Sequence, residues 1–130
     1  MARPVRDPAA LRRIKLERRG WDEHFPLGRG NIYVFTQTPD ERENDFAARM
    51  FAPGLGLGED PATGSAAAAL IGLIAKHEGN GQHEFRLRQG HEMGRPSLIN
   101  IQVRKDNGEL THGGIGGDAV IIGEGVLNLG

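Results

Sequence analysis

The sequence predicts an α+β fold: a curved, mostly antiparallel, β-barrel-like sheet wrapped around a central buried helix. Three observations lead there. Residues Ala66 to Ala75 read as a helix that is apolar on every side, which demands enclosure rather than a place on the surface. Six or seven short segments carry strand patterning; Phe85, Leu87 and Gln89 alternate with Arg86 and Arg88, and Ile99, Ile101 and Val103 with Asn100 and Gln102. Twenty glycines among 130 residues, about twice the average usage, point to tight turns and close backbone approaches instead of a helical bundle.

Along the chain, Asp7 before Pro8 has the form of an N-cap and first helical position, predicting a short peripheral helix over Ala9 to Arg19 that stops at Gly20. Residues 1 to 20 hold seven Lys/Arg against two acids, read as a solvated helix face because no aromatic residue interleaves with them. Trp21 to Gly30 reads as loop and Asn31 to Gln37 as a strand rich in β-branched and aromatic residues. Thr38 to Asn44 is a charged surface turn. Phe46 to Ala52 reads as a second strand, closed by Pro53 and the glycines 54, 56 and 58. After the buried helix come the two alternating strands, and Asn107-Gly108 predicts a hairpin into a short strand over Glu109 to Thr111. Ala119 to Ile122 and Val126 to Leu129 complete the strands.

One domain over residues 1–130 is the natural organisation, with a core that is aliphatic, since 38% of residues are hydrophobic but only 5% aromatic. With 16 Lys+Arg against 17 Asp+Glu, the net charge of −1 offers no field for nucleic acid or acidic membranes, so neither is expected as a partner. The absence of cysteine excludes disulfides, thiolate metal sites and thiol nucleophiles. The five histidines lack H-x-x-x-H or H-x-H spacing, so no metal site is expected. No apolar run approaches the roughly 20 residues of a membrane span, and the first residues lack the apolar region of a signal peptide. The expected location is cytoplasmic.

The informative segment runs from Gly54 to Leu70, a glycine-rich loop entering the apolar helix. A helix N-terminus carries unpaired N–H groups and about half a positive charge, and so binds anions. No Lys follows the glycines and their spacing is not G-x-G-x-x-G, so this is not a nucleotide loop. Thr63, Gly64 and Ser65 in the first turn can seat a carboxylate, Gly64 allowing close approach. Asp60 has two readings: N-cap ahead of Pro61, or, with Glu59, a carboxylate at the mouth of a site that orients an amino group or carries a proton. A second cluster, Gln89 to Ser97, reads as a bulge or turn with Gly90 and Gly94 at positive φ; alternatively Arg95 aims at an anion.

At these clusters the chain resembles the phenazine-biosynthesis isomerase (PhzF-like) family. The residues that carry the resemblance are Arg49-Met-Phe-Ala-Pro53, Glu59-Asp-Pro-Ala-Thr-Gly-Ser-Ala66, Gln89-Gly90, Met93-Gly-Arg-Pro-Ser97, Gly116-Gly117 and Gly123-Glu-Gly125, in order and in register over nearly the whole chain. The resemblance implies one half, the C-terminal one, of a diaminopimelate epimerase-like fold, whose substrate lies between two such halves. It implies Asp60 as the acidic partner facing substrate, Ser65 as a hydrogen-bonding hydroxyl, and the Gly64 and Ser65 amides as the carboxylate seat. The half that carries the general-base Glu of the family is not in this sequence.

The resulting expectation is a cofactor-independent isomerase that shifts a proton on a small amino or hydroxy carboxylic acid. Asp60 and Ser65 are its catalytic candidates, with Glu59, Thr63, Gly64, Ser65 and Arg95 binding substrate. Its activity would need a partner, either a second copy in a homodimer or a complementing N-terminal half-domain. The alternative is a carboxylate-binding module that has lost turnover. A hot-dog-type thioester hydrolase also wraps a sheet around a helix but lacks these motifs.

Overall fold

The computed structural model describes residues 1–25, 30–128 and 130. Its chain order is β1 (Ala2–Pro4), α1 (Pro8–Arg13), α2 (Arg18–His24), β2 (Ile32–Gln37), β3 (Phe46–Ala52), β4 (Leu57–Asp60), α3 (Gly64–Ile74), β5 (Gly81–Gln89), β6 (Ser97–Asp106) and β7 (Glu109–Gly116). The strands form one sheet in the order β1-β2-β3-β5-β6-β7, with β4 pairing the far end of β3. Pairing is antiparallel except for β1 with β2 and β3 with β5. The α+β class and the sheet curled against α3 are as the sequence predicts.

β3 is the spine, with all seven residues buried because it is covered on both faces. Phe46, Ala48, Met50 and Ala52 pack with Tyr33, Leu87, Ile99, Ile101 and Val103 against Ala67, Leu70, Ile71 and Ile74 of α3. The alternate residues Ala47 and Phe51 pack on the other face with Val34 and Leu11 of α1. The first helix is therefore part of a second core.

Enclosure of α3 is only partial. Ala67, Leu70, Ile71 and Ile74 are buried, while Ser65, Ala68, Ala69 and Gly72 are exposed along one side. The sheet covers one face, and alanine and glycine are small enough to leave the other open at little hydrophobic cost. Where α3 crosses β7, a Cβ at Gly113 would lie 3.0 Å from Ile71, so glycine admits the helix to that edge.

Several boundaries differ from expectation. The predicted helix over Ala9 to Arg19 is two helices. Asp7 caps the first as expected, its Oδ1 accepting from the Ala10 N–H at 2.6 Å. The chain then straightens at Ile14, because the Arg49 guanidinium takes the carbonyls of Leu11 (3.1 Å) and Ile14 (2.8 Å). Gly20 lies within α2, and Trp21 to His24 are helical rather than loop, with Glu17 capping the Arg19 and Gly20 amides. Residues 26–29 of that predicted loop lie outside the described residues. β1 and β4 are strands the sequence reading passed over.

At Asn107-Gly108 both φ angles are positive, 53° and 84°, and the hairpin forms there as predicted, although β7 runs on to Gly116. No strand forms over Ala119–Ile122 or over the described residues of Val126–Leu129. A strand needs a paired edge, and Val120, Ile121, Ile122, Val126 and Leu127 lie more than four-fifths exposed with none.

Candidate active site

The site is assembled from the end of β4, the first turn of α3 and the turn between β5 and β6. Asp60 ends β4, held by antiparallel pairing with Met50. The helix starts three residues later than an Asp60 cap would require: Thr63 is the N-cap and its side chain does not cap. Its hydroxyl donates instead to Asp60 Oδ2 at 2.6 Å. Asp60 is therefore half-buried and tethered, with no hydrogen bond to Oδ1 among the described residues.

Behind this pair lies Gln89, fully buried at the end of β5. Its Nε2 donates to the Asp60 carbonyl (2.7 Å) and the Thr63 hydroxyl (2.9 Å). Its Oε1 accepts from the Tyr33 hydroxyl (3.1 Å) and the Thr63 N–H (3.3 Å). In the sequence Gln89 stands in the alternation with Phe85 and Leu87 and in the Gln89-Gly90 motif; the signal for a role in the site is a polar residue in that inward phase. Gly90 follows with φ 77° and lies so close to the carbonyls of Arg95 and Pro61 that no side chain fits. Gly94 also has positive φ, 72°, as expected.

Burial holds the Tyr33 phenol above the ordinary tyrosine range, reinforced by the negative charge of Asp60. The unfolded chain releases that proton near pH 10 while the folded chain retains it, so the native state binds more protons above that pH and stability falls as pH rises. Unfolding free energies from urea titrations at pH 8 and above are expected to decline more steeply than those of Tyr33→Phe, by up to about 1.4 kcal/mol per pH unit, one proton's worth.

The amides of Gly64, Ser65 and Ala66 have no helical partner, the first intrahelical bond being Ala67 N–H to Thr63 carbonyl at 3.0 Å. Gly64 borders an open cleft of about 510 Å³ lined also by Ala62, Pro96, Ser97, Leu98, Ile115 and Asp118. Among the described residues Asp118 is its one charged lining residue, and nothing in the sequence singled it out. Ser65 is exposed on the first turn. Arg95 is exposed in the β5–β6 turn, held through its backbone N–H to the Gly90 carbonyl at 2.9 Å.

Glu59 is placed differently from Asp60. Both its oxygens accept from Arg49, each at 2.8 Å, and the two side chains are 14% and 9% exposed. Arg49 also lies over the Phe51 ring, 4.9 Å from its centroid. Glu59 is thus committed to the ion pair that joins β4, β3 and the end of α1, while Asp60 alone of the two faces the α3 first turn. Among the described residues, no three His, Asp or Glu side chains are grouped to hold a metal ion, and no helix is long and apolar enough to cross a membrane.

A family profile described as phenazine biosynthesis-like protein matches residues 4–125. An uncharacterized isomerase of Mesorhizobium japonicum is 38% identical over 95% of this chain and 43% of its own length. The trans-2,3-dihydro-3-hydroxyanthranilate isomerase of Pseudomonas chlororaphis is 41% identical over 63% of this chain and 30% of that protein. A crystal structure of the Bacillus anthracis PhzF-family protein superposes with a TM-score of 0.67 at 20% identity, over 82% of this chain and 37% of that one. The chain thus spans less than half the length of these relatives. With motif, fold and sequence similarity in agreement, the chain belongs to the phenazine biosynthesis-like, PhzF-like isomerase family.

Proposed function

We propose that this chain supplies the carboxylate-seating half of an isomerase that shifts a proton on a small amino or hydroxy carboxylic acid. The observation that carries this reading is the uncapped start of α3. Three free amides at Gly64, Ser65 and Ala66 open beside a cleft, with the tethered Asp60 just ahead of them in the chain. The amides and the Ser65 hydroxyl seat the carboxylate; Asp60 faces the amino or hydroxy group, and Arg95 adds positive charge from the neighbouring turn. A relative is named for an amino acid of this kind, a dihydro-hydroxyanthranilate.

Proton transfer needs a positioned base, which contributes typically 10²- to 10⁴-fold. The partner that supplies it is a complementing half-domain or a second copy of the chain, seated over the exposed Leu55 and Leu57 beside the glycine loop. Millimolar propionate is expected to shift amides 60 to 66 in an NMR titration. Deuterium from solvent is expected to enter dihydro-hydroxyanthranilate only when the chain is supplied with the N-terminal half of a family enzyme, and Asp60→Asn is expected to abolish it. Turnover by the isolated chain that survives Asp60→Asn would overturn the reading. Binding without turnover in the complemented protein would favour the second reading, a carboxylate-binding module.

A further inference from the structure

We infer that Gln89 and Thr63 are positioning residues that decide which oxygen of Asp60 is left for a ligand; this rests on the proposed role of Asp60. The hydrogen-bond directions around Gln89 are forced. The Asp60 carbonyl can only accept and the Thr63 N–H can only donate, so the amide nitrogen faces the first at 2.7 Å and the amide oxygen the second at 3.3 Å. Turning the amide over would set two acceptors against each other and two donors against each other inside a fully buried site. The Tyr33 hydroxyl, which can donate or accept, donates to the same oxygen at 3.1 Å in that orientation.

The consequence passes outward. The second proton of the Gln89 amide goes to Thr63 Oγ1 at 2.9 Å, so that hydroxyl accepts from behind. Its single proton is then free to point forward to Asp60 Oδ2 at 2.6 Å. Oδ2 is thereby an acceptor only, and a proton carried by Asp60, or an ammonium held by it, is assigned to Oδ1. The two oxygens of the carboxyl group, otherwise equivalent, become unequal, with Oδ2 engaged and Oδ1 without a hydrogen bond among the described residues. No group in this chain from Tyr33 to Thr63 gains or loses a proton in doing so; the network acts by orientation.

The experiment separates this from a purely structural role. In the ligand-free protein, the Thr63 hydroxyl proton is expected to exchange slowly enough to be seen by NMR close to the Asp60 side chain, and to be lost in Gln89→Leu. Binding of β-alanine and of propionate is then compared across wild type, Thr63→Ser and Thr63→Val. Wild type and Thr63→Ser are expected to prefer β-alanine. Thr63→Val is expected to lose that preference, by about tenfold for one charge-assisted hydrogen bond's orientation, while propionate affinity stays equal in all three. A Thr63→Val protein that keeps the preference, or that loses propionate as well, would overturn the inference while leaving the carboxylate seat intact in wild type. If wild type binds neither acid, the seat itself fails. The hydroxyl signal then decides alone: its presence supports the assigned orientation, and a freely exchanging hydroxyl refutes it.

Discussion

Arg49→Met is expected to cost about 3–5 kcal/mol of folding stability, because it leaves the Glu59 carboxylate in the protein interior without its partner. Both oxygens of Glu59 are spent on that one guanidinium, and the two side chains are 14% and 9% exposed. The same guanidinium also serves the carbonyls of Leu11 and Ile14, so α1 loses its docking to the sheet together with the charge pair. The double variant Arg49→Met, Glu59→Leu removes the stranded charge and is expected to recover most of the loss. It should stay about 1–2 kcal/mol below wild type for the two orphaned carbonyls. Urea unfolding of the three proteins measures both quantities. A single variant no less stable than the double would show that the pair is not the source of the effect.

Gly90→Ala is expected to be nearly as damaging, about 2–5 kcal/mol from two sources. The backbone at φ 77° disfavours any Cβ by about 1–2 kcal/mol. The Cβ would also overlap the Arg95 carbonyl oxygen and come within 2.8 Å of that of Pro61, and forcing the two turns apart adds about 1–3 kcal/mol. Gly94→Ala is the control, since Gly94 has φ 72° but open space around it, and only the backbone cost should appear. Thermal unfolding should separate them, Gly90→Ala losing on the order of 10–15 °C and Gly94→Ala a few degrees. Because Gly90 brings the Arg95 turn against the Asp60–Thr63 loop, carboxylate binding at α3 should weaken in the first variant and not in the second.

Features written within a few consecutive residues were legible in the sequence. Asp7-Pro8 starts a helix and Asn107-Gly108 turns a hairpin because their signals are local and act through their own backbone. The apolar phases of β5 and β6 were legible for the same reason. What the sequence concealed depends on distant residues. The break after α1 is set by Arg49, and the start of α3 by β4 pairing with β3, which carries Asp60 into the sheet and away from the helix cap. Glu59 and Asp60 are adjacent letters with similar chemistry, yet strand alternation sends one to Arg49 and the other to Thr63. The strand expected over Ala119 to Ile122 does not form, because pairing is supplied by a neighbour and none lies against it among the described residues. The site motifs were legible through family resemblance, whereas Gln89 shows its role only once Tyr33, Asp60 and Thr63 are seen around it.

The parallel pairing of β3 with β5 has a kinetic meaning. Two parallel neighbours cannot be joined by a hairpin, so the chain leaves the sheet after β3, runs through β4 and α3, and returns before β5 can zip into place. Until that circuit closes, Gln89 stands apart from Tyr33 and Asp60, which β3 brings together through Met50, and the ordering entropy of the whole excursion is lost before the hydrogen bonds of Gln89 form. The polar cluster is accordingly a late product of folding, completed in one step when the returning strand docks. A nascent chain that has made β2, β3 and even α3 carries every residue of the loop motif but lacks the Gln89 amide that orients Thr63.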